Sequence, residues 1–254
     1  VTFVVEKDGY VKINPRPVTL TSGSAERVYN GEALTNETVT VGGDGFAKDE
    51  GVTCDFTGSQ TDVGSSKNTF TFEANAGTYE NNYSFEVAFG TLKVTPFTGE
   101  VTVTITEKSG TVTYDGGDHI VSGYASMTVD NELYDVDASV QETPTAAWTV
   151  KGKDAGEYPV GIKADDFKNT NGNFTNVEFV VVDGKLEITP APVTLQAPIQ
   201  SKTYDGTPLE ATQFGHSYLE GVNFADDFAS VILTGSQTLV GSSSSLITEV
   251  IPKE

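Results

Sequence analysis

One nine-residue stretch occurs twice in this chain, as Gly58-Ser59-Gln60-Thr61-Asp62-Val63-Gly64-Ser65-Ser66 and as Gly235-Ser236-Gln237-Thr238-Leu239-Val240-Gly241-Ser242-Ser243. The two copies differ at a single position, where Asp62 stands in the first and Leu239 in the second. The same landmarks surround each copy in the same order. The 254 residues are therefore predicted to form a tandem array of small modules rather than one large domain.

A second segment recurs three times without gaps, as Gly9-Tyr10-Val11-Lys12-Ile13-Asn14-Pro15, Gly90-Thr91-Leu92-Lys93-Val94-Thr95-Pro96 and Gly184-Lys185-Leu186-Glu187-Ile188-Thr189-Pro190. Apolar side chains stand two and four places after each glycine, which is the period of a half-buried strand. Another apolar stretch precedes each glycine, and proline ends the segment. We therefore predict a β-hairpin that closes each module.

The closing prolines define the expected module boundaries. We predict a closing hairpin of a preceding repeat at residues 1–15, two complete modules at 16–96 and 97–190, and an incomplete third module at 191–254. Short junctions that contain proline favour a rod of stiffly joined modules. We expect the third module to obtain its closing strand from downstream sequence. The alternative is donation by residues 1–15 of another copy.

Composition and turn signals favour strands. Threonine, valine, glycine and aromatic residues are abundant, and each module carries a tight-turn signal, at Tyr29-Asn30-Gly31, Tyr114-Asp115-Gly116 and Tyr204-Asp205-Gly206. A single helical turn is expected at residues 46–49 and at the matching residues 224–227. We therefore predict a mainly β chain of tandem small modules, each with about six or seven strands.

These landmarks resemble the YDG/MBG-type repeats of large extracellular bacterial proteins, especially Gram-positive surface proteins and adhesins. The resemblance covers nearly the whole chain and rests on the Tyr-Asp/Asn-Gly turns, the nine-residue motif, and the Asn82-Tyr83 and Asn173-Phe174 pairs before the closing segments. It implies a β-grasp-like sheet, with an Ig-like β-sandwich as the alternative. The second module departs most, since it lacks the Gly-Ser-Gln-Thr part of the motif.

The charge of the chain bears on its partners. The formal net charge is −21, and no cluster of lysine or arginine interrupts the acidity. Because so negative a surface repels phosphate backbones and anionic lipids, nucleic acid and membrane partners are not expected. The single cysteine excludes an internal disulfide framework, and no apolar stretch approaches the ~20 residues of a membrane span.

Trp148 and Cys54 are predicted to be core residues. Trp148 shares its register with Phe56 and Leu233, and Cys54 shares its register with Ala146 and Val231, so each position is apolar in every module. The alternative for Trp148 is an exposed ring that stacks on a sugar. His119 and His216 lie in different modules, and neither has a cysteine or acidic partner at metal-ligand spacing, so no zinc site is expected.

One loop keeps a calcium hypothesis open. The segment from Asp165 to Asn173 is rich in oxygen ligands and resembles an EF-hand loop, but Phe167 stands where the first ligand would be. The alternative is an asparagine-rich turn. We expect no metal and no cofactor.

No motif for catalysis recurs among the modules, so no catalytic residue is assigned and an enzyme is not expected. The first function hypothesis is a non-catalytic stalk that acts as a spacer in an extracellular bacterial surface protein, either attached to the cell wall or secreted, and monomeric. The alternative is a glycan- or mucin-binding module. Its ligand-binding residues are unknown, but the loop-like tyrosines Tyr79, Tyr124 and Tyr134 favour it, and the resemblance implies host glycan or mucin as the partner.

Overall fold

A computed structural model describes residues 1–7, 9–143, 148–217 and 228–253. The protein is mainly β, as its composition predicts. It divides into two compact units, of which the first comprises Val1–Val103, Val129–Gln141 and Lys168–Glu178, and the second Thr104–Thr128, Glu142–Phe167 and Phe179–Glu254. The first unit thus holds the whole first module and two segments of the second module.

The first module contains eight strands: β1 (Arg16–Ser22), β2 (Ala25–Val28), β3 (Val39–Gly43), β4 (Val52–Phe56), β5 (Gly64–Lys67), β6 (Phe70–Ala74), β7 (Tyr83–Ala88) and β8 (Thr91–Thr95). A short 3-10 helix, Glu80–Asn82, precedes β7. The strands form one sheet in the order β3-β1-β7, a second in the order β2-β8-β5, and the antiparallel ribbon β4-β6. In each three-stranded sheet the inner strand pairs in parallel with one neighbour.

Two small apolar clusters hold the first module together. Val18 and Leu20 alternate with half-buried threonines on β1, and they pack with Phe70 of the ribbon and Tyr83 of β7. A separate cluster of Leu34, Leu92 and Val94 lies on the second sheet. Because full burial of one such side chain contributes about 1.5–3 kcal/mol, these few residues account for much of the stability of the module.

The predicted closing hairpin is wrong for the two modules in which both strands are described. Strands β7 and β8, on either side of Gly90, do not pair with each other. Instead, β7 pairs with β1 and β8 pairs with β2, both in parallel. Strands β1 and β2 bend together with β7 and β8, so both pairs pass from the first sheet into the second. The period-2 burial is nevertheless confirmed, since Leu92 and Val94 are buried.

Close packing, not a turn, explains the glycine at this bend. A Cβ atom on Gly90 would lie 2.4 Å from the carbonyl oxygen of Gly23 and 2.5 Å from that of Ser22. A Cβ atom on Gly184 of the second module would lie 2.4 Å from the carbonyl oxygen of Lys108. Both glycines are therefore required because two bent strands touch at the backbone.

The second module repeats this topology with ten strands: β9 (Val101–Glu107), β10 (Gly110–Thr113), β11 (His119–Ser122), β12 (Tyr124–Val129), β13 (Val140–Glu142), β14 (Thr149–Gly152), β15 (Gly156–Pro159), β16 (Phe167–Asn169), β17 (Val177–Val182) and β18 (Lys185–Thr189). Its sheets follow the orders β12-β9-β17 and β10-β18-β15, which match the two sheets of the first module strand for strand. Strands β11 and β14 pair with each other, and so do β13 and β16. Strands β17 and β18, like β7 and β8, do not pair with each other.

The helical turn predicted at residues 46–49 does not form. Asp49 has a φ of +66°, and the backbone N–H of Glu50 donates to the carbonyl of Ala47, so the segment is a tight turn. The matching residues 224–227 lie outside the described part of the chain. One short α-helix, α1 (Val136–Ser139), forms in the second module, and the carboxylate of Asp135 caps its first backbone N–H groups. A 3-10 turn, Ala164–Asp166, precedes β16.

The described part of the third module contains six strands: β19 (Thr194–Gln196), β20 (Leu209–Glu210), β21 (Gly215–Ser217), β22 (Phe228–Thr234), β23 (Ser236–Gln237) and β24 (Leu246–Pro252). They form the pairs β19-β21, β20-β23 and β22-β24. Residues 1–7 and 9–15 form no strand, and their side chains are exposed. Across the described residues, no helix is both long and apolar enough to cross a membrane.

Candidate functional site

The nine-residue motif forms the same hydrogen bonds in both of its copies. The side-chain amide of Gln60 donates to the carbonyl of Asp62 at 2.8 Å, and Gln237 donates to Leu239 at the same distance. The Ser66 hydroxyl donates to the carbonyl of Ser59 at 2.9 Å, and Ser243 donates to Ser236 in the same way. The motif therefore recurs because it builds one loop, and the glutamine and serine side chains fix the loop backbone.

The second glycine of the motif is required by its backbone conformation. Gly64 has a φ of +148° and Gly241 a φ of +149°, values that residues other than glycine rarely adopt. A Cβ atom would also approach the glutamine amide nitrogen to 3.3 Å in the first copy and 3.4 Å in the second. This loop presents the one position that differs, Asp62 or Leu239, to its surroundings.

Asp62 lies at the junction between the first and second modules. Its carboxylate accepts a hydrogen bond from the Asn173 amide at 3.0 Å, and the oxygen of the same amide accepts the backbone N–H of Val63 at 2.8 Å. A single asparagine of the second module thus satisfies two adjacent groups of the motif. These contacts all lie inside the first compact unit.

An aromatic cluster continues this junction. Phe174 is only 2% exposed, and its ring lies 5.5 Å from Tyr29 of the Tyr-Asn-Gly turn, 5.8 Å from Phe97 and 5.1 Å from Tyr134, measured between centroids. All three contacts are edge-on, which is a favourable geometry for aromatic pairs. We call Tyr29, Asp62, Phe97, Asn173 and Phe174 the junction cluster.

Backbone hydrogen bonds hold the linker that joins the two modules. The N–H of Phe97 donates to the carbonyl of Asn173 at 2.9 Å, and its own carbonyl accepts from Thr175 at 3.2 Å. The linker between β8 and β9 is only a few residues long, and it is paired with the Asn173–Thr175 segment rather than left to solvent. The junction cluster therefore connects the modules by packing, by side-chain hydrogen bonds and by backbone pairing at once.

The asparagine-rich segment that was considered as a calcium site is instead part of this junction. The side-chain oxygen of Asn169 accepts the N–H of Asn171, and that of Asn171 accepts the N–H of Asn173, so the segment is a series of asparagine-closed turns. The side-chain nitrogen of Asn169 donates to the carbonyl of Phe174. Within the described residues no group of three or more histidine, cysteine or acidic side chains is placed to hold a metal ion. The asparagine-rich turn is thus the interpretation that the hydrogen bonds favour.

Trp148 is partly rather than fully buried. Its ring stacks on Phe167 at 5.4 Å and meets Tyr124 edge-on at 6.1 Å. Its indole N–H donates to the Asp166 carboxylate at 2.9 Å, and the N–H of Lys163 donates to the same oxygen at 3.0 Å. These two donors hold the pKa of Asp166 below its usual value. One face of the indole is therefore occupied by Phe167, which disfavours a sugar on that face.

Replacing Trp148 should separate packing from hydrogen bonding. Trp148→Ala is expected to lower the free energy of unfolding by about 2–4 kcal/mol, below the full core value because the ring is partly exposed. Trp148→Phe keeps an aromatic ring but removes the N–H donor. The pKa of Asp166 should then rise towards its ordinary value. Because the lowered pKa stabilises the fold above the unfolded-state pKa, wild type should lose more stability than Trp148→Phe as pH falls below ~4.

Urea unfolding at pH 7 and pH 3 measures both effects. An equal loss of stability on acidification in wild type and Trp148→Phe would show that the indole N–H does not affect Asp166.

Cys54 also lies at the edge of a core. It is partly buried on β4 and packs against the first cluster, and burial raises the pKa of its thiol. A raised pKa leaves less of the reactive thiolate at neutral pH, in line with a small apolar core residue. Ala146, its counterpart by register in the second module, lies outside the described residues.

The three tyrosines that favoured glycan binding do not share a role. Tyr134 is 2% exposed, and its hydroxyl donates to the Asn169 side chain at 2.9 Å. Tyr124 is partly buried on β12, and its hydroxyl donates to Glu142 at 2.5 Å. Tyr79 alone of the three is mostly exposed, at 73%. Tyr124 and Tyr134 of the second module are therefore used in packing rather than as an exposed pair.

His119 has an acidic partner that its spacing did not suggest. Its ring nitrogen lies 2.9 Å from the carboxylate of Asp115, four residues earlier. The N–H of Gly117 and then His119 lower the pKa of Asp115. Asp115 belongs to the Tyr-Asp-Gly turn, so the pair closes that turn.

Two buried polar groups were not expected from the sequence. The carboxylate of Glu107, 3% exposed, accepts the backbone N–H of Ile162 at 2.5 Å and that of Gly184 at 2.6 Å. Ser22 stands at the same place on the first module, where its hydroxyl accepts the N–H of Gly90 at 2.9 Å. Both side chains satisfy the backbone where the strands bend. Each side chain is the last residue of an alternating strand and lies on the buried face of that strand. This position is the one feature of the sequence that indicates its burial.

No protein-family description matches this chain, no curated protein is significantly similar to it, and no solved structure matches it significantly.

Proposed function

We propose that this chain is a non-catalytic spacer segment of an extracellular bacterial surface protein. The observation that carries the proposal is the junction cluster, which ties the second module to the first. A spacer has to keep its modules in a fixed relation, and buried Phe174 together with the two-way hydrogen bonding of Asn173 supplies such a connection.

The use of the repeated residues supports the same function. The glutamine, serine and glycine of the nine-residue motif fix a loop, and the tyrosine of the first turn packs on Phe174. The acidic groups at the bend and beside Trp148 accept backbone or indole N–H groups. The repeated residues therefore serve to build the modules and to connect them.

The extracellular setting, attached to the cell wall or secreted, rests on the resemblance to YDG/MBG-type repeats and on the acidic composition. A net charge of −21 keeps such a segment soluble and away from anionic surfaces. The alternative function is glycan or mucin binding, for which the exposed ring of Tyr79 is the specific observation.

Scattering and binding measurements test the spacer proposal together. Small-angle X-ray scattering on the full chain should give a radius of gyration well above the roughly 20 Å of a globule of this length. The value should stay constant between low and high salt, because packed junctions depend little on charge screening. A glycan array and a mucin-coated surface should give no saturable binding.

Tyr79→Ala is the matched control for the binding measurement. A saturable signal that Tyr79→Ala removes would replace the spacer by the glycan- or mucin-binding function. A radius of gyration near the globular value would contradict a rod of modules.

A further inference from the structure

Two asparagine-glycine pairs occur in this chain, Asn30-Gly31 and Asn171-Gly172. Asparagine before glycine is prone to spontaneous deamidation, because glycine has no Cβ atom to hinder the attack of its backbone nitrogen on the asparagine side chain. Each pair lies in a turn that adjoins the junction cluster, the first beside Tyr29 and the second beside Asn173. The structure nevertheless holds the two asparagines in different ways.

In the described part of the chain, the side chain of Asn30 bonds only within its own turn. Its oxygen accepts the backbone N–H of Glu32 at 3.1 Å, and its nitrogen donates to the Glu32 carboxylate at 3.1 Å. Asn30, Gly31 and Glu32 are all exposed. Because both partners belong to one exposed residue, a small rearrangement of the turn frees the Asn30 side chain for reaction.

Asn171 makes the same turn but is also held from outside it. Its side-chain oxygen accepts the N–H of Asn173 at 3.0 Å, and its nitrogen donates to the Ser139 hydroxyl at 3.0 Å. Ser139 is 2% exposed, and the Asn173 side chain is bound to Asp62 and Val63 of the first module. Reaction at Asn171 therefore requires packed structure to open locally.

The turn that contains Asn30 is able to accept an aspartate. The other two modules carry aspartate at this place in the turn. Asp115 accepts the N–H of Gly117 at 2.8 Å, and Asp205 accepts that of Thr207 at 2.9 Å. The oxygen of Asn30 makes the same bond two residues along the chain, so an aspartate at position 30 would keep the turn closed.

A cation is also available for the new carboxylate. In the third module Lys202, two residues before the tyrosine of the turn, donates to Asp205 at 2.9 Å. Arg27 occupies the same place in the first module. Its Nε atom is buried and has no acceptor among the described residues. Because a buried donor without an acceptor is unfavourable, Arg27 gains from a carboxylate in this turn.

We propose that Asn30 is a self-modifying residue, which converts the Tyr-Asn-Gly turn into an aspartyl or isoaspartyl turn while Asn171 is protected. The Gly31 nitrogen bonds to the side-chain carbon of Asn30, and the bond from that carbon to Nδ2 breaks. Nδ2 takes up the proton of the Gly31 N–H and leaves as ammonia. Water then opens the cyclic imide. Breaking the new bond gives aspartate, whereas breaking the original peptide bond gives isoaspartate, in which the main chain runs through the side chain.

The two products act differently on the junction between the modules. Isoaspartate adds one methylene to the main chain between Tyr29 and Gly31. The Tyr29 ring packs on Phe174 at 5.5 Å, and a Cβ atom on Gly31 would lie 3.1 Å from the Leu133 side chain. The added methylene therefore shifts a turn that touches the second module on both sides, whereas aspartate leaves the length of the main chain unchanged.

Incubation of the full chain at mildly alkaline pH, followed by peptide mass spectrometry, tests the proposal. In the folded protein Asn30 should deamidate at least ~10-fold faster than Asn171, because only Asn171 depends on local opening. In concentrated urea the two pairs should react at similar rates, since both are then free. Asn30→Gln should abolish the reaction at position 30, because the longer side chain closes a ring less readily, and should leave the slow rate at Asn171 unchanged.

Chymotrypsin cleavage after Phe97 tests the effect on the junction. Incubated wild type that carries isoaspartate at position 30, identified by enzymatic methyl transfer to isoaspartate, should be cleaved faster than fresh wild type. Asn30→Gln taken through the same incubation is the matched control and should be cleaved no faster than before it. Asn30→Asp represents the other product and should be cleaved like fresh wild type.

Three results would overturn the proposal. The first is an equal rate of deamidation at Asn30 and Asn171 in the folded protein. The second is an Asn30 that stays intact in the folded protein while both pairs react in urea. The third is cleavage of Asn30→Asp as fast as that of the isoaspartyl protein, which would show that the turn does not accept an aspartate.

Discussion

Phe174→Ala should lower the free energy of unfolding by about 3–5 kcal/mol, the cost of removing a buried aromatic ring from a packed site. The ring is 2% exposed and contacts Tyr29, Phe97 and Tyr134, so its loss leaves a cavity that three aromatic neighbours cannot close. The substitution should also release the linker. Chymotrypsin should then cleave after Phe97 faster than in wild type, which mass spectrometry of the fragments detects.

Phe70→Ala is the control for this variant. Phe70 is a buried aromatic residue of the first core that does not contact the junction cluster. It should cost a similar free energy of unfolding without a selective increase in cleavage after Phe97 at low denaturant. Equal cleavage in the two variants would mean that Phe174 stabilises the fold generally and does not secure the linker.

Glu107→Ala should also lower the free energy of unfolding by about 3–5 kcal/mol. It leaves the buried N–H groups of Ile162 and Gly184 without acceptors, which costs ~1–3 kcal/mol for each group, and it creates a cavity. Glu107→Gln keeps the shape of the side chain but retains a single acceptor oxygen. It should therefore cost less than Glu107→Ala, since one of the two N–H groups keeps its partner. Chemical denaturation of the three proteins gives the order.

Glu157→Gln supplies the matched control, because Glu157 is exposed and its ion pair with Lys185 is a surface one. Such pairs contribute about 0–1 kcal/mol, so this variant should unfold close to wild type. A Glu107→Gln protein as stable as Glu157→Gln would show that the buried carboxylate is not needed as a double acceptor.

The sequence predicts the strands of this protein better than their pairing. The alternation around Leu92 and Val94, and around Leu186 and Ile188, correctly identifies strands buried on one face. The glycine before each pair predicts a hairpin turn. The same pattern of a glycine between two apolar strands also occurs where strands bend, so the sequence does not distinguish the two. What distinguishes the two is the backbone of Gly23 or Lys108 lying against that glycine. That contact is distant in sequence and carries no local signal.

The junction cluster illustrates the same limit at the candidate site. Comparison of the repeats identified Asp62 as the one varied residue of the motif, and Asn173-Phe174 as a landmark before the closing segment. Neither observation shows that the two contact each other, because their separation of more than 100 residues depends on how successive modules pack. The expectation that the loop-like tyrosines are exposed fails at Tyr134 for a related reason. Tyr134 looks like a loop residue by sequence, yet an aromatic cluster encloses it.

The bent parallel strands have a mechanical consequence. Strand β1 begins at Arg16 beside Tyr83, and the pairing continues through the bend to Val28 beside Thr95, where β8 ends. A pull on the two ends of the first module therefore draws the first and last strands past each other along their length. Hydrogen bonds in such a ladder bear the load together rather than breaking one at a time from an end. A module built in this way resists extension when its two ends are pulled apart.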